Sequence, residues 1–357
     1  MKERFVLQVF LLVVGVLSQV AAEPEERATF PAFRLEGQVQ VQVDDGSLGT
    51  GRPNAGRPVR NGIGVFPSES RISPRRLRLK PRVEFTDSLT LYNQLDFDPD
   101  GFQQEDLELT VLDLYLSYQF AEGHELLIGQ TKVPFGFENL RSSERLLTVE
   151  RSDVMRQSFP RDIGAVVQGK RGRWNYSAGL FQGQGATNQE RNGQQDYFGR
   201  VVYQAFPSVE LGVAGHVGSF RPRNGGVDIE IKRLGLEARF QQGPFRLEGE
   251  YIVAQGYNLY SNGDTASRGF YIYGVYKARE DLEAVVGYDR YDPALGNENS
   301  LSSDNGANDR DRMTLGLNYY IGESDTHRVM LNYEIRRELE GPGASSNGLR
   351  FRYQFAW

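Results

Sequence analysis

Four cationic side chains recur at every second position in one stretch of this sequence. In an extended strand they project from one face, about 7 Å apart. A long charged side chain that faces lipid costs about 2–4 kcal/mol at the membrane midplane, so a membrane strand would turn this face inward. A row of cations along a wet channel offers an anion several weak successive sites, which conduction requires. The four candidate anion-guiding residues are Arg76, Arg78, Lys80 and Arg82.

The same row could instead be a charge-balanced wall that only supports the structure. Several acids are also expected on inward faces, so the interior does not carry one sign of charge alone. They are Glu36, Asp96, Asp113, Glu237, Glu248, Glu250, Asp289 and Glu334.

Residues 134–162 form a long connection between two short apolar runs. Connections of this length are uncommon in compact folds and are usually functional or disordered. This one carries many paired charges together with eight large apolar residues, so we expect it to fold into a cavity and pack there. Lys132, just before it, and Arg141 and Arg145, within it, are further candidate anion-guiding residues. The alternative for any single loop arginine is scaffolding, in which it pairs with one of the interleaved acids and holds the loop against a wall.

Period-two alternation of apolar and polar residues, clear at 33–43, predicts strands along most of the chain. Seven short turns alternate with eight long loops between the strands. An even number of strands with short turns on one rim predicts an all-β protein, a transmembrane antiparallel β-barrel of sixteen strands. The predicted strands span 33–43, 71–85, 88–97, 108–120, 124–133, 163–170, 174–182, 195–206, 209–219, 228–241, 245–256, 268–279, 282–292, 310–321, 327–338 and 348–357.

A soluble β-sandwich would show the same alternation, with its polar face outside. Three features favour the membrane barrel: the regular loop lengths, the aromatic residue Trp357, and an export signal. Residues 1–22 place Lys2 and Arg4 before an apolar run and small residues before position 23, which predicts a secretory signal peptide followed by a barrel over 23–357. An uncleaved anchor is the alternative. The hydrophobic share, 39%, suits a protein whose interior is wet.

The remaining composition argues for few bound partners. The chain has no Cys and only three scattered His residues, so we expect no disulfide, metal site or cofactor. With 41 basic against 47 acidic residues, it shows no sign of binding nucleic acid. A Gly- and Pro-rich loop at 49–64 contains Arg52, Arg57 and Arg60, and could draw anions to a channel mouth or be a plain solvated loop.

Several segments resemble the phosphate-selective porin O and P family. They are RRLRLKPRVEF at 75–85, LDLYLSYQF at 112–120, IGQTKVPFGFENLRSSERLLTVERS at 128–152, RDIGAVVQGK at 161–170 and YSAGLFQGQG at 176–185. The resemblance implies a homotrimeric channel in the bacterial outer membrane, in contact with its lipid, with an anion-selective lumen and an inward-folded third long loop. In this chain that loop is 134–162. The family's phosphate ligands are not carried over, because they cannot be matched residue by residue.

We therefore predict an outer-membrane porin for passive diffusion of small anions, with phosphate as the solute that the resemblance implies. A general or weakly cation-selective porin is the alternative. An enzyme is not expected, because GxSxG, HExxH and P-loop motifs are absent from the sequence. A barrel hydrolase using His216, Ser219 and Asp289, or a plugged structural barrel, remains as a competing class.

Overall fold

The computed structural model describes residues 30–45, 71–97, 109–157, 160–188, 190–222, 226–258, 261–295, 309–322, 324–339 and 345–357. These residues form a closed barrel of sixteen antiparallel strands, in which each strand pairs with its neighbours in sequence and the first pairs with the last. The predicted fold class is thus confirmed. The predicted signal peptide at 1–22 and the loop at 49–64 lie outside the described residues.

The strands agree closely with the predicted ones. They are β1 (Ala32–Asp45), β2 (Arg71–Glu84), β3 (Leu89–Phe97), β4 (Leu109–Ala121), β5 (His124–Lys132), β6 (Arg161–Arg171), β7 (Trp174–Phe181), β8 (Asp196–Phe206), β9 (Val209–Phe220), β10 (Ile229–Gln242), β11 (Phe245–Asn258), β12 (Ser261–Arg279), β13 (Leu282–Asp292), β14 (Arg310–Tyr320), β15 (Arg328–Glu338) and β16 (Ser345–Ala356). The largest difference is β12, which begins seven residues earlier than predicted. Its first residues lack apolar alternation but continue the backbone pairing, with Ser261 opposite Asn258.

Alternation along each strand sorts side chains between lipid and interior. In β16, Leu349, Phe351 and Phe355 are exposed, whereas Arg350 and Arg352 between them are buried. The exposed apolar side chains suit a hydrocarbon environment, and strand pairing around the closed barrel satisfies the backbone polar groups there. Among the residues that the structure describes, no helix is long and apolar enough to cross a membrane.

The barrel closes where β1 meets β16. Gly37 and Trp357 exchange two backbone hydrogen bonds of 3.1 Å each. A Cβ atom on Gly37 would lie 2.1 Å from the indole ring of Trp357, so this close approach requires glycine. Closure of the barrel at this seam therefore requires a glycine at position 37, next to the indole ring of Trp357.

Between β5 and β6 the chain forms a compact segment that we call the loop segment, of which residues 133–157 and 160 are described. It contains one helical turn, α1 (Phe137–Leu140), and two 3₁₀ turns at Ser143–Arg145 and Asp153–Gln157. Gly136, with φ of 79°, turns the chain into α1. This positive φ is a conformation that side chains other than glycine rarely adopt.

The interior is less wet than the composition suggested, because the loop segment shares two buried apolar clusters with the barrel wall. The first joins Val133, Phe135 and Val154 of the loop segment to residues of seven strands. The second packs Leu147 against β12 and β13. The wall residues of the two clusters are Leu127, Val166, Phe181, Phe198, Ala214, Ile252 and Tyr291 in the first and Tyr271, Tyr273, Val275 and Val285 in the second.

Candidate functional site: the barrel interior

The loop segment is held together first by its own backbone carbonyls. The Lys132 ammonium donates to the carbonyl oxygens of Asn139, Leu140 and Arg141 at 2.9, 3.1 and 3.0 Å. These carbonyls stand at the C-terminal end of α1, where a cation is favoured. Lys132, predicted to guide anions, is thus used to anchor the start of the loop segment.

A buried carboxylate joins the two halves of the loop segment. Glu138 Oε2 accepts hydrogen bonds from the backbone N–H and the hydroxyl of Ser152, at 3.0 and 2.6 Å. The Arg151 guanidinium donates to the carbonyls of Glu138 and Arg141 at 3.1 and 2.6 Å. Burial raises the pKa of Glu138 above its ordinary value and lowers the pKa of Arg151 to about 10. The loop segment therefore has its own internal framework.

On one side, the loop segment is tied to β2 and β16 through Glu150. Its Oε1 accepts from Arg75 at 2.9 Å and from Arg352 at 2.7 Å, and its Oε2 lies 3.7 Å from Arg76. Burial alone would raise the pKa of Glu150, but the guanidiniums of Arg75, Arg352 and Arg76 hold it well below its usual value. This carboxylate is the anchor with the most cations around it.

The four cations of the β2 row share one face, because they stand opposite alternate residues of β1. Each also has a carboxylate partner. Arg76 is near Glu150, Arg78 contacts Asp96 at 2.7 Å, Lys80 contacts Glu144 at 2.7 Å, and Arg82 contacts Glu84 at 3.1 Å. Two of these acids, Glu144 and Glu150, belong to the loop segment. Arg76, Arg78, which also donates to the Ser143 hydroxyl, and Lys80 therefore anchor the loop segment. That the row also guides anions stays a prediction.

On the other side, the loop segment contacts β11 and the strands that follow it. Arg141 donates to Glu248 at 2.6 Å, and the backbone N–H of Glu138 donates to Glu250. Further along, Arg312 donates to the carbonyl of Arg151 at 2.9 Å. Asp289 accepts from the N–H of Asp153, Asn318 donates to Leu147, and Arg328 donates to Glu144 and Leu146. The loop segment thus has polar contacts on opposite sides of the barrel.

The pairing expected within the loop segment is wrong in detail. Arg141 pairs with Glu248 of the wall and Arg145 with Asp325 of a short turn, at 3.1 Å. Arg161, the first residue of β6, pairs with Asp113 of β4 at 2.8 Å. The acids Glu144 and Glu150 pair in turn with cations of the wall. The physical reason is the length of these side chains, which extend from the surface of the compact loop segment to the facing barrel wall. The Arg145–Asp325 pair is well exposed on both sides.

Two cavities lie beside the loop segment, at the rim that carries the short turns. The smaller, of about 530 Å³, includes Lys132 and Asp113. The larger, of about 1000 Å³, we call the vestibule; it lies between the loop segment and β8–β15. Arg200 and Leu140 line both. Seven cations and four acids line the vestibule: Arg141, Arg145, Arg200, Arg239, Arg246, Lys277 and Arg328 against Glu280, Asp281, Glu283 and Asp325.

Sequence reasoning missed Arg200, Arg239 and Arg328 as site residues. The available signal was their position on the inward face of an alternating strand. What the sequence could not show is that β8, β10 and β15 bring these side chains to one cavity.

His216, considered for a hydrolase, is fully engaged. Its Nε2 lies 2.7 Å from Asp196, its Nδ1 lies 2.7 Å from Arg233, and its ring stacks on Phe198 at 3.9 Å between centroids. Both ring nitrogens are therefore occupied, and the Ser219 hydroxyl donates to Gln194 instead. Among the described residues, no group of three or more His, Cys, Asp or Glu could hold a metal ion.

Solved porin structures share this fold. The outer membrane channel DcaP of Acinetobacter baumannii is 14% identical, with 93% of this chain and 100% of that chain covered and a TM-score of 0.67. An anion-selective porin from Comamonas acidovorans is 13% identical, with 91% and 99% covered and a TM-score of 0.61. The trimer form of OmpT of Vibrio cholerae is 13% identical, with 91% and 99% covered and a TM-score of 0.57.

A family model, described as phosphate-selective porin O and P, matches residues 59–231 and 221–357. No curated protein matches the sequence. The family match covers most of the chain, including all strands from β2 to β16, and it agrees with the closed barrel of sixteen strands. The chain therefore belongs to the phosphate-selective porin O and P family, and it is a porin of the bacterial outer membrane.

Proposed function

We propose that this porin passes small anions by passive diffusion, with phosphate among them, and that the loop segment narrows the path. The observation that carries the proposal is the vestibule, where seven cations face four acids. Glu210, Glu237 and Glu248, which pair with Arg239, Arg200 and Arg141, are not among the lining residues, so the cavity surface presents more cationic than acidic side chains. Such a surface in a confined wet space raises the local concentration of anions. The family description and the anion-selective porin from Comamonas acidovorans agree with this reading.

Contacts on opposite walls support a constricting role for the loop segment. It reaches β2 and β16 through Glu150 and β11 through Arg141. A segment with such contacts occupies part of the lumen and leaves a narrower passage beside it. The vestibule then lies on the periplasmic side of the constriction, because short turns mark the periplasmic rim.

The proposal is tested by the reversal potential in planar bilayers with asymmetric KCl. We expect a potential that favours Cl⁻, and we expect phosphate to reduce the chloride current. A potential that favours K⁺ would instead support the cation-selective alternative. A barrel that never opens would support a plugged structural role, and ester hydrolysis by the purified barrel would support an enzyme.

Arg82 offers a test of the β2 row that leaves the loop segment in place. Unlike Arg76, Arg78 and Lys80, its carboxylate partner Glu84 lies on its own strand. We expect Arg82→Glu to shift the reversal potential toward cations, and the shift should shrink at high salt because charge is screened. Arg173→Glu, on an exposed turn, is the matched control. If Arg82→Glu keeps the parent selectivity, as the control should, Arg82 supports the wall and does not guide anions.

We further propose that the protein forms a homotrimer in outer-membrane lipid. The trimer form of OmpT, which shares the fold, supports this assembly. The backbone hydrogen-bonding groups of the strands are already paired around the closed barrel. Assembly would therefore use outward-facing side chains rather than open strand edges.

A further inference from the structure

The arginines of the vestibule are fixed before any solute arrives. Two guanidiniums contact the Phe137 ring, Arg239 at 3.7 Å and Arg141 at 4.6 Å from its centroid. Each guanidinium is also held by a wall carboxylate, Glu210 for Arg239 and Glu248 for Arg141. Stacking and ion pairing together restrict both side chains, so little ordering is lost when an anion binds beside them.

Two further arginines of the vestibule have unused donors. Arg328 is only 2% exposed, and its Nε has no hydrogen-bond partner. Its other N–H groups donate to backbone carbonyls and to the Tyr320 hydroxyl, and no carboxylate of the described residues lies within ion-pair distance of it. The buried Nε of Arg246 is also unpartnered, although Glu283 lies 3.7 Å from its guanidinium. Arg246 and Arg328 are therefore the vestibule cations whose charge is least compensated by a close carboxylate, and a bound oxyanion beside them would supply that negative charge.

The loop segment gives the same cavity an apolar side. Phe137, Leu140 and Leu147 line it opposite the wall arginines. Its volume of about 1000 Å³ is at the upper end of the range for small-molecule sites, about 300–1,000 Å³. An inorganic phosphate ion would leave most of this volume empty and would gain nothing from the leucines. The lining therefore suits an anion that has an apolar body.

We propose that the vestibule is a binding site for organic carboxylates in which a carboxylate group is joined to a body about the size of an aromatic ring. The carboxylate would pair with the guanidiniums of Arg246 and Arg328, for which two parallel N–H···O bonds are the favoured geometry. The ring would pack on Leu140 and Leu147. This inference rests on the proposed function, since the solute must first be admitted as an anion.

A comparison of benzoate with acetate distinguishes the contribution of the apolar side from that of the guanidiniums, because the two ions carry the same carboxylate and differ in apolar surface. Each is added to the periplasmic side of single channels, and the block of chloride current is measured. We expect benzoate to block at a concentration at least tenfold lower than acetate or phosphate, since burying a ring adds favourable free energy that a methyl group lacks.

Two variants assign the block to the vestibule. Arg246→Gln removes one guanidinium, and Leu140→Ser removes part of the apolar side; each should raise the half-blocking concentration of benzoate about tenfold. Arg173→Gln makes the same charge change on an exposed turn outside the vestibule and should match the parent. Calorimetric titration of benzoate into detergent-solubilised protein checks the same order without measuring current.

The outcomes separate the two proposals. A parent channel that favours K⁺ overturns the proposed function. A parent that favours Cl⁻ but is blocked equally by benzoate, acetate and phosphate overturns only the organic-carboxylate site. The site is equally overturned if Arg246→Gln and Leu140→Ser both form heat-resistant barrels and bind benzoate as the parent does.

Discussion

At the scale of single residues, Glu150 is the contact on which the position of the loop segment depends most. Its carboxylate lies close to Arg75, Arg76 and Arg352, of which Arg76 and Arg352 are buried. Removing one partner of a buried ion pair destabilises a protein by more than the intact pair stabilises it, because the remaining charges stay buried without compensation. Here three guanidiniums would lose one shared carboxylate.

We expect Glu150→Gln to loosen the loop segment while the barrel remains folded. The loss is of the order of 3 kcal/mol, the lower end for breaking a buried pair. Single-channel traces should become noisy, and protease should cut between residues 140 and 157 more readily. Glu122→Gln, on an exposed turn, should behave as the parent. Quiet traces and an uncut loop segment in the Glu150 variant would contradict the anchoring role.

The same residue predicts how the channel responds to acid. Because the folded pKa of Glu150 is depressed, its contribution is fully present above the ordinary carboxyl pKa of about 4.3 and is lost only as the pH falls through the lower folded value. The difference in current noise between the parent and the Glu150→Gln variant should therefore stay constant from pH 7 to about pH 4.5 and shrink only below that. Glu138, whose pKa is raised by burial, is protonated at higher pH and affects both proteins alike. A difference that shrinks between pH 6 and 5 would contradict the depressed pKa of Glu150.

At the scale of elements, the loop segment and the barrel are stabilised differently. Every strand pairs with two neighbours through backbone hydrogen bonds around the closed sheet. The loop segment depends on side chains: two apolar clusters and the ion pairs of Glu144, Glu150 and Arg141. Loss of the loop segment should thus leave the strand pairing intact.

Deletion of residues 140–156 should raise single-channel conductance severalfold and leave a heat-resistant barrel. The reason is that this deletion removes both glutamate anchors together with Leu147 and Val154 from the apolar clusters. Conductance in bilayers and migration of unheated protein on gels measure the two effects. A deletion of residues 299–303, an uncharged stretch of another long connection, serves as the control. Unchanged conductance in the first deletion would place the loop segment outside the conducting path.

The distance in sequence between interacting residues decides what could be predicted. Strands were predicted well because alternation is a local signal within each strand. The early start of β12 was missed because residues 261–267 lack that signal. The partner of Glu150, Arg352, lies about two hundred residues away, and nothing near either residue indicates the pairing. The sequence predicted that the loop segment would pack, but not its wall partners, since Phe181 and Phe198 meet Phe135 only after the barrel has closed.

At the scale of the whole molecule, the barrel presents a broad apolar surface to its surroundings. Exposed residues such as Leu236, Leu247, Leu315 and Phe351 come from strands around much of the sheet. In a trimer, part of this surface would face other copies of the chain and the rest would face lipid. The two environments are chemically alike, so the exposed residues alone do not locate the contact between subunits.

Unheated protein in lipid should migrate on a native gel at the position of a trimer, and heating should convert it to a monomer. The conversion is expected because the subunits would be held by side-chain packing, whereas each barrel is closed by its own backbone. Cross-linking at low protein concentration provides an independent measure. Migration at the monomer position before heating, with lipid present, would count against the assembly.

The seam between Gly37 and Trp357 also bears on how quickly this molecule can form. The two residues are 357 − 37 = 320 positions apart, yet they exchange both backbone hydrogen bonds. Contacts this distant in sequence make folding slow, because chain entropy is lost before the contact is gained. Until the seam forms, β1 and β16 each expose an unpaired edge that can join another chain. A Gly37→Val substitution, which puts a side chain against the indole ring, would prolong that interval, so its consequence should be aggregation during assembly rather than a change in the finished channel.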